Sequence, residues 1–336
     1  MGFVEHISDY RSLAIVGLEK NTGKTECLNY ILRRIKKTAQ LFALTSVGID
    51  GENRDQVCQT PKPEIVVPEG MIFVTSEKHF REKRLVAEIL DISEEQTALG
   101  RLITARAKSS GKVLLSGPAD TAGLKRVIQR MQRWGVRTTL VDGALSRLSL
   151  ASPAITDAML LATGAAVSGN IPELVRRTRF VCDLIEEKEV SEALQLKLDG
   201  IAQGVWAIDA DENCIDLELP SVFLLEKNEK DLFRFGRRIF IAGAVTDRVF
   251  KWICTQKQSV ELIVRDFTRI FTTPESYYAF LRKGHTLRVL HRSRLLAVTI
   301  NPQSPNGIVL DSVQLQRAME ESLKLSVYDV RREDTI

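Results

Sequence analysis

The sequence has little of what marks several common classes of protein. Its five cysteines are scattered without a C-x-x-C pair, and its four histidines lie far apart, so neither a disulfide framework nor a zinc site is indicated. The longest uncharged stretch, between Asp157 and Glu173, is interrupted by glycine and asparagine and is too short to cross a bilayer. The G-x-S-x-G and H-E-x-x-H motifs of hydrolases and zinc peptidases are absent.

An excess of charge of one sign is also missing. The 336 residues include 47 lysines and arginines against 43 aspartates and glutamates, a net charge of +4. Binding to the phosphates of nucleic acid requires clustered positive charge, and the arginines of segment 121–134 fit a solvated helix face better. The first residues do not resemble a targeting peptide. We therefore expect a cytoplasmic protein that binds neither nucleic acid nor a membrane.

The hydrophobic pattern indicates an α/β fold. In the first half, short apolar runs alternate with amphipathic segments, which is typical of a parallel sheet flanked by helices. A crossover helix is predicted over 121–134, because its apolar residues recur at helical spacing. The predicted strands of this half are 13–16, 41–44, 113–115, 139–141 and 158–161.

The alternation of apolar runs and amphipathic segments is interrupted after Ile185 by a charged segment and then begins again. We predict a first domain over 1–185, a connector over 186–204 and a second, smaller α/β domain over 205–336. The predicted elements of the second domain are strands at 239–242, 260–264, 287–290 and 295–300, and a helix at 311–325.

Segment 12–34 has the pattern of a strand, a phosphate-binding loop and a helix. Gly17 and Gly23 enclose five residues and are followed by Lys24 and Thr25. Glycines let backbone N–H groups approach phosphate oxygens, and the start of the helix adds its positive dipole end. Lys24 would reach the β- and γ-phosphates, and the Thr25 hydroxyl would ligate Mg²⁺. Because the sequence has no N-K-x-D motif for guanine, ATP is the expected nucleotide.

Acidic residues at predicted strand ends are candidate partners of this loop. Asp142 ends the run 139–141 as a Walker-B-type acid does, or else it caps the next helix. Asp50 would hold Mg²⁺ directly or through water, and Glu52 would orient a nucleophile; a simple tight turn is the alternative for both. Segments 116–118 and 163–165 either line the cleft or form packing turns.

The loop is one residue longer than the common G-x-x-x-x-G-K-[ST] pattern. In this it resembles dethiobiotin synthetase and other SIMIBI-type P-loop NTPases, although the signature lysine of the ParA/MinD branch would fall at Glu19. With the strings LTSVGIDGE, LSGP, VDGA and LATGA, at 44–52, 115–118, 141–144 and 161–165, the sequence resembles the ATPase-like subunit of lysine 5,6-aminomutase reactivating factors.

The resemblance implies a Mg²⁺-dependent ATPase that acts with a small MutS-like subunit as a reactivating chaperone. Such a protein releases damaged cofactor from an adenosylcobalamin-dependent aminomutase. By this resemblance Lys24, Asp50 and Asp142 are catalytic, and Thr25 and the two aspartates hold the metal. The nucleotide loop would consist of Gly17, Lys20, Asn21, Thr22, Gly23, Lys24 and Thr25.

Some alternatives remain open at the level of sequence. Lys20 is either a second cation over the phosphates or an exposed loop lysine. A dethiobiotin-synthetase-like ATP-dependent ligase and a nucleotide-binding scaffold without turnover are the competing functions. By analogy with SIMIBI-type proteins, a homodimer is possible.

Overall fold

A computed structural model describes residues 2–47, 65–118, 120–143, 152–219 and 232–333. The chain folds into two compact units. The first comprises Met1–Arg179 and Leu295–Ile336, and the second comprises Phe180–Arg294. Within the described ranges, no helix combines the length and the hydrophobicity needed to span a membrane.

The first unit is built on a large, mostly parallel sheet flanked by helices. Its strands are β1 Ser12–Gly17, β2 Phe42–Ser46, β3 Val66–Val67, β4 Ile72–Ser76, β5 Ala87–Thr97, β6 Gly100–Ala107, β7 Gly111–Lys112, β8 Thr138–Asp142, β9 Ala158–Gly164, β17 Arg294–Asn301 and β18 Val327–Tyr328. Nine of them form one sheet in the order β18-β17-β9-β1-β8-β2-β4-β6-β5, while β3 pairs with β7. Strands β5 and β6 pair antiparallel with each other, as do β4 and β6. The α/β fold class is therefore confirmed.

The helices that begin in this unit are α1 Lys24–Arg34, α2 Glu77–Glu82, α3 Thr121–Met131, α4 Ile171–Ile185, α8 Ser312–Leu323 and α9 Val330–Glu333. Every residue of β1 is buried, as expected for a central parallel strand covered on both faces. The crossover helix is confirmed as α3, which buries Leu124, Ile128 and Met131 and exposes its arginines. Strands β1, β2, β8 and β9 also lie where the apolar runs predict them.

The predicted strand at 113–115 is wrong. This segment is buried but extended outside the sheet, and the carbonyl oxygen of Leu114 accepts a hydrogen bond from the Thr75 hydroxyl at 2.6 Å instead of a ladder bond. The sheet position beside β2 is taken by β4. Strands β4, β5 and β6 extend the sheet beyond the strands that we predicted.

The second unit has its own sheet, ordered β11-β10-β12-β14-β16. Its strands are β10 Val205–Ile208, β11 Cys214–Leu219, β12 Arg238–Ile241, β13 Val245–Thr246, β14 Glu261–Val264, β15 Ile270–Phe271 and β16 Thr286–Val289, and its helices are α5 Glu192–Asp199, α6 Asp247–Ile253 and α7 Pro274–Arg282. Helix α5 falls within the predicted connector 186–204. Because Leu194 and Leu198 of α5 are fully buried in the core of this unit, the segment is part of the unit and not a linker.

The end of the chain returns to the first unit, whereas the sequence predicted 205–336 as one domain. Strand β17 lies next to β9, and β18 pairs parallel with β17. Ala297, Val298 and Ile300 of β17 are buried. A strand this apolar is typical of a parallel sheet whose two faces are both covered, and β17 takes such a place in the large sheet.

Candidate functional site

The loop between β1 and α1 is held by one hydrogen bond at its start and by another within it. The Leu18 N–H donates to the carbonyl oxygen of Ala162 at 2.9 Å, which extends the pairing of β1 with β9. The Thr22 hydroxyl donates to the carbonyl oxygen of Glu19, also at 2.9 Å. Thr22 is buried, so the middle of the loop is fixed from within.

Two residues of the loop have left-handed backbone conformations. Asn21 has φ 62°, and Gly23 has φ 93° immediately before α1. Asparagine and glycine are the residues that adopt this region most readily. Gly23 is the N-cap of α1 and offers no side-chain cap, and the first helical bond runs from the Cys27 N–H to the Gly23 carbonyl at 2.9 Å. The earlier N–H groups of the helix therefore form an end that favours an anion.

Glycine is required at position 17 because the side chains of Thr22 and Lys24 pack closely against it. A methyl group at Gly17 would lie 2.9 Å from Cγ of Lys24 and still closer to Oγ1 of Thr22. The side chain of Lys24 thus passes directly over the end of β1. Its ammonium donates to the carbonyl oxygen of Gly143 at 2.7 Å. The structure therefore brings Lys24 to the carboxyl end of β8, beside the predicted acid Asp142.

Asp142 is the last residue of β8 and lies between the ends of β1 and β2. Its backbone is registered with Ile15 on one side and with Ser46 on the other. The carboxylate is close enough to the buried thiol of Cys27 to contribute, after burial itself, to raising the pKa of that thiol to about 12. Asp142 thus faces the start of α1, and its Oδ1 is buried without a hydrogen bond from the described residues.

Thr25 and Asp142 are the predicted magnesium ligands that lie among the described residues. Thr25 lies in the first turn of α1, half-buried, on the same sheet edge as Asp142. The described residues contain no group of three or more histidine, cysteine, aspartate or glutamate side chains suited to a metal. An oxygen pair of this kind fits Mg²⁺ that is shared with phosphate oxygens better than it fits a metal caged by protein. Asp50 and Glu52 lie outside the described residues.

Lys20 is exposed within the loop. Of the two predicted strand-end segments, 163–165 begins within β9, which ends at Gly164, and 116–118 follows β7 outside the named strands. Added side chains at Gly117 and Gly164 would overlap the backbone carbonyl groups of Ser46 and Asn301. Both segments are therefore closely packed at their glycines.

Near Gly117, a buried cluster of His79, Ser116 and Ser76 holds the segment that follows β7. His79 Nδ1 and the Ser116 hydroxyl are 2.7 Å apart, and Ser116 donates to the Ser76 hydroxyl at 3.3 Å. Burial lowers the pKa of His79, which favours its neutral form.

Asn301, the last residue of β17, contacts the loop and was not predicted. Its Nδ2 donates to the carbonyl oxygen of Asn21 at 3.2 Å, and its carbonyl oxygen accepts from the Ala165 N–H at 2.9 Å. A side chain at Gly23 would lie 2.9 Å from Cβ of Asn301. The only local signal is the Asn-Pro pair after an apolar run, and that run was assigned to another domain.

Arg177 of α4 also contacts the loop from outside the predicted site. Its guanidinium pairs with the carboxylate of Glu19 at 2.6 Å. The sequence contains no motif around Arg177 that would have indicated this contact.

The site thus combines a loop between two glycines and the start of a helix without a side-chain cap. The Lys24 ammonium and the Asp142 carboxylate lie at the same edge of the sheet. This arrangement suits an anionic ligand with several oxygens, such as a polyphosphate. Comparison of the chain with protein-family models, with curated proteins and with solved structures gave no match.

Proposed function

We propose that the first unit is a P-loop NTPase that binds ATP with Mg²⁺ at this loop and hydrolyses it. The observation that carries the proposal is the placement of Lys24, whose side chain crosses Gly17 and whose ammonium lies at the end of β8 beside Asp142. In this position the lysine needs only to exchange the carbonyl oxygen of Gly143 for phosphate oxygens.

The chemistry that follows is positioning and electrostatic stabilisation. Lys24 and the N–H groups at the start of α1 would stabilise negative charge on the transferred phosphoryl group. Thr25 and Asp142 would hold Mg²⁺, with Asp50 as a further predicted ligand outside the described residues. The bound ion would neutralise charge on the β- and γ-phosphates.

We further propose that hydrolysis serves the reactivation of an adenosylcobalamin-dependent aminomutase in the cytoplasm. The support is the resemblance of the loop and the four strand-end strings to the ATPase-like subunit of lysine 5,6-aminomutase reactivating factors. The compact second unit would contact the small MutS-like subunit or the aminomutase.

The test is phosphate release from ATP and Mg²⁺ by the full chain, alone and with the aminomutase and the small subunit. Recovery of activity by an inactivated aminomutase is measured in parallel. Lys24→Ala is expected to abolish both, while Lys37→Ala, which removes an exposed lysine after α1, is expected to leave both unchanged.

Three outcomes would contradict the proposal. ATP turnover that depends on a small-molecule substrate and not on the aminomutase would indicate a ligase. Tight ATP binding without phosphate release would indicate a scaffold. Equal ATP binding by the wild type and Lys24→Ala would mean that the loop is not the nucleotide site.

A further inference from the structure

The phosphate loop carries one acidic side chain, and the structure shows how it is held. Between Gly17 and Gly23 the charged residues are Glu19 and Lys20, so Glu19 is the one carboxylate of the loop. Its carbonyl oxygen accepts from the Thr22 hydroxyl, which fixes the backbone of Glu19 in the loop. Its side chain is turned toward Arg177, whose Nη2 donates to Oε1 at 2.6 Å.

Arg177 is aimed at the loop by a well-anchored helix. Its Nη1 donates to the carbonyl oxygen of Val167 at 2.7 Å, so both ends of the guanidinium are engaged. The next residue, Thr178, is buried, and its hydroxyl lies 2.9 Å from that of Thr163 at the end of β9. The arginine therefore reaches the loop from a helix that is hydrogen-bonded to β9 through Thr178.

The pair contributes little to folding. Both side chains are 41% exposed, and the attraction within so exposed an ion pair is largely screened by water and salt. The location of the charges is more consequential, because an unpaired carboxylate in a loop that accepts a polyphosphate repels the ligand.

We propose that Arg177 is a positioning residue that neutralises Glu19 and holds it to the side of the loop, so that the phosphates of the nucleotide can enter. This inference rests on the proposed function. It assigns Arg177 no contact with the nucleotide; the guanidinium acts through Glu19.

The experiment is a double-mutant cycle read by calorimetric titration of the full chain with ATP and Mg²⁺. Arg177→Met is expected to weaken binding about tenfold, the scale of one charge interaction near the ligand. Glu19→Gln is expected to bind at least as well as the wild type. The double variant is expected to recover the affinity of Glu19→Gln, since no charge is then left to neutralise.

Two further variants separate this role from a structural one. Arg176→Met removes the neighbouring arginine, which pairs with Glu173 on the same helix, and is expected to leave affinity unchanged. Arg177→Lys keeps the positive charge and is expected to retain most of the affinity, which preserves the test if Arg177→Met does not fold. Melting temperatures without nucleotide are expected to agree among all variants.

A double variant that binds as weakly as Arg177→Met would overturn the proposal, because Arg177 would then contact the nucleotide itself. Unchanged affinity of Arg177→Met would overturn it as well, as would tenfold weaker binding by Arg177→Lys. Failure of the proposed function gives a different result, namely no ATP binding by the wild type or equal binding by Lys24→Ala.

Discussion

Replacing Gly17 by alanine tests the geometry of the loop most directly. The added methyl group would lie 2.9 Å from Cγ of Lys24 and closer still to Oγ1 of Thr22. Because every residue of β1 is buried within the sheet, the loop and not the strand must move. Overpacking of this kind costs about 1–3 kcal/mol, which lowers the melting temperature of a unit this large by roughly 2–12 °C.

The same displacement moves Lys24 from the end of β8. A hydrogen bond to a charged group is worth about 1.5–3 kcal/mol, so ATP affinity is expected to fall at least about tenfold. Calorimetric titration measures the affinity, and differential scanning calorimetry measures the melting temperature. Gly200→Ala is the matched control, because nothing lies within 4 Å of a methyl group there and its φ of −74° suits alanine.

Equal melting temperatures and ATP affinities for Gly17→Ala and Gly200→Ala would show that the loop tolerates a methyl group at Gly17. A lower melting temperature with unchanged ATP affinity would contradict the link between the position of Lys24 and nucleotide binding. It would support only the expected overpacking at Gly17.

Two other changes probe the neighbours of the loop. Asn301→Ala removes the hydrogen bond to the carbonyl oxygen of Asn21, and the loss of about 0.5–1.5 kcal/mol is expected to weaken ATP binding roughly two- to tenfold in titrations. Asn306→Ala, in the loop after β17, is the control. Equal ATP affinities of the two variants would show that the phosphate loop keeps its shape without Asn301. Because burial raises the pKa of Cys27 from 9.0 to about 12, the protonated thiol contributes stability below pH 9 that is lost as the pH rises toward 12. The stability advantage of the wild type over Cys27→Ala in denaturant unfolding is therefore expected to shrink between pH 8 and 11, and a constant difference would contradict the assigned burial.

The local parts of the site could be predicted because their signals are contiguous in sequence. A buried run, two glycines, a lysine and a helix-forming segment specify strand, loop and helix without knowledge of the rest of the chain. Asp142 was found for the same reason, as a carboxylate that ends an apolar run. Asn301 was missed because its contact with Asn21 spans 280 residues, and Arg177 was missed because no periodic pattern sets a single arginine apart on a polar helix face.

The same distinction holds for the fold. Strands buried on both faces stand out as apolar runs, whereas β5 exposes Ile89 and Ile92 among acidic residues and lacks that signal. Segment 186–204 was assigned as a linker from its charge, although Leu194 and Leu198 occur at helical spacing and fill a core. Charge describes only the solvent side of such a helix, and its packing depends on strands that follow later in the chain.

The position of β17 has a consequence for the order in which the protein is made on the ribosome. The second unit is continuous in sequence and ends at Arg294, so it can fold as soon as it emerges. The large sheet cannot be completed until β17 has been synthesised, some 280 residues after the loop that Asn301 supports. The nascent chain therefore carries the loop through most of translation without one of its supports, the hydrogen bond from Asn301.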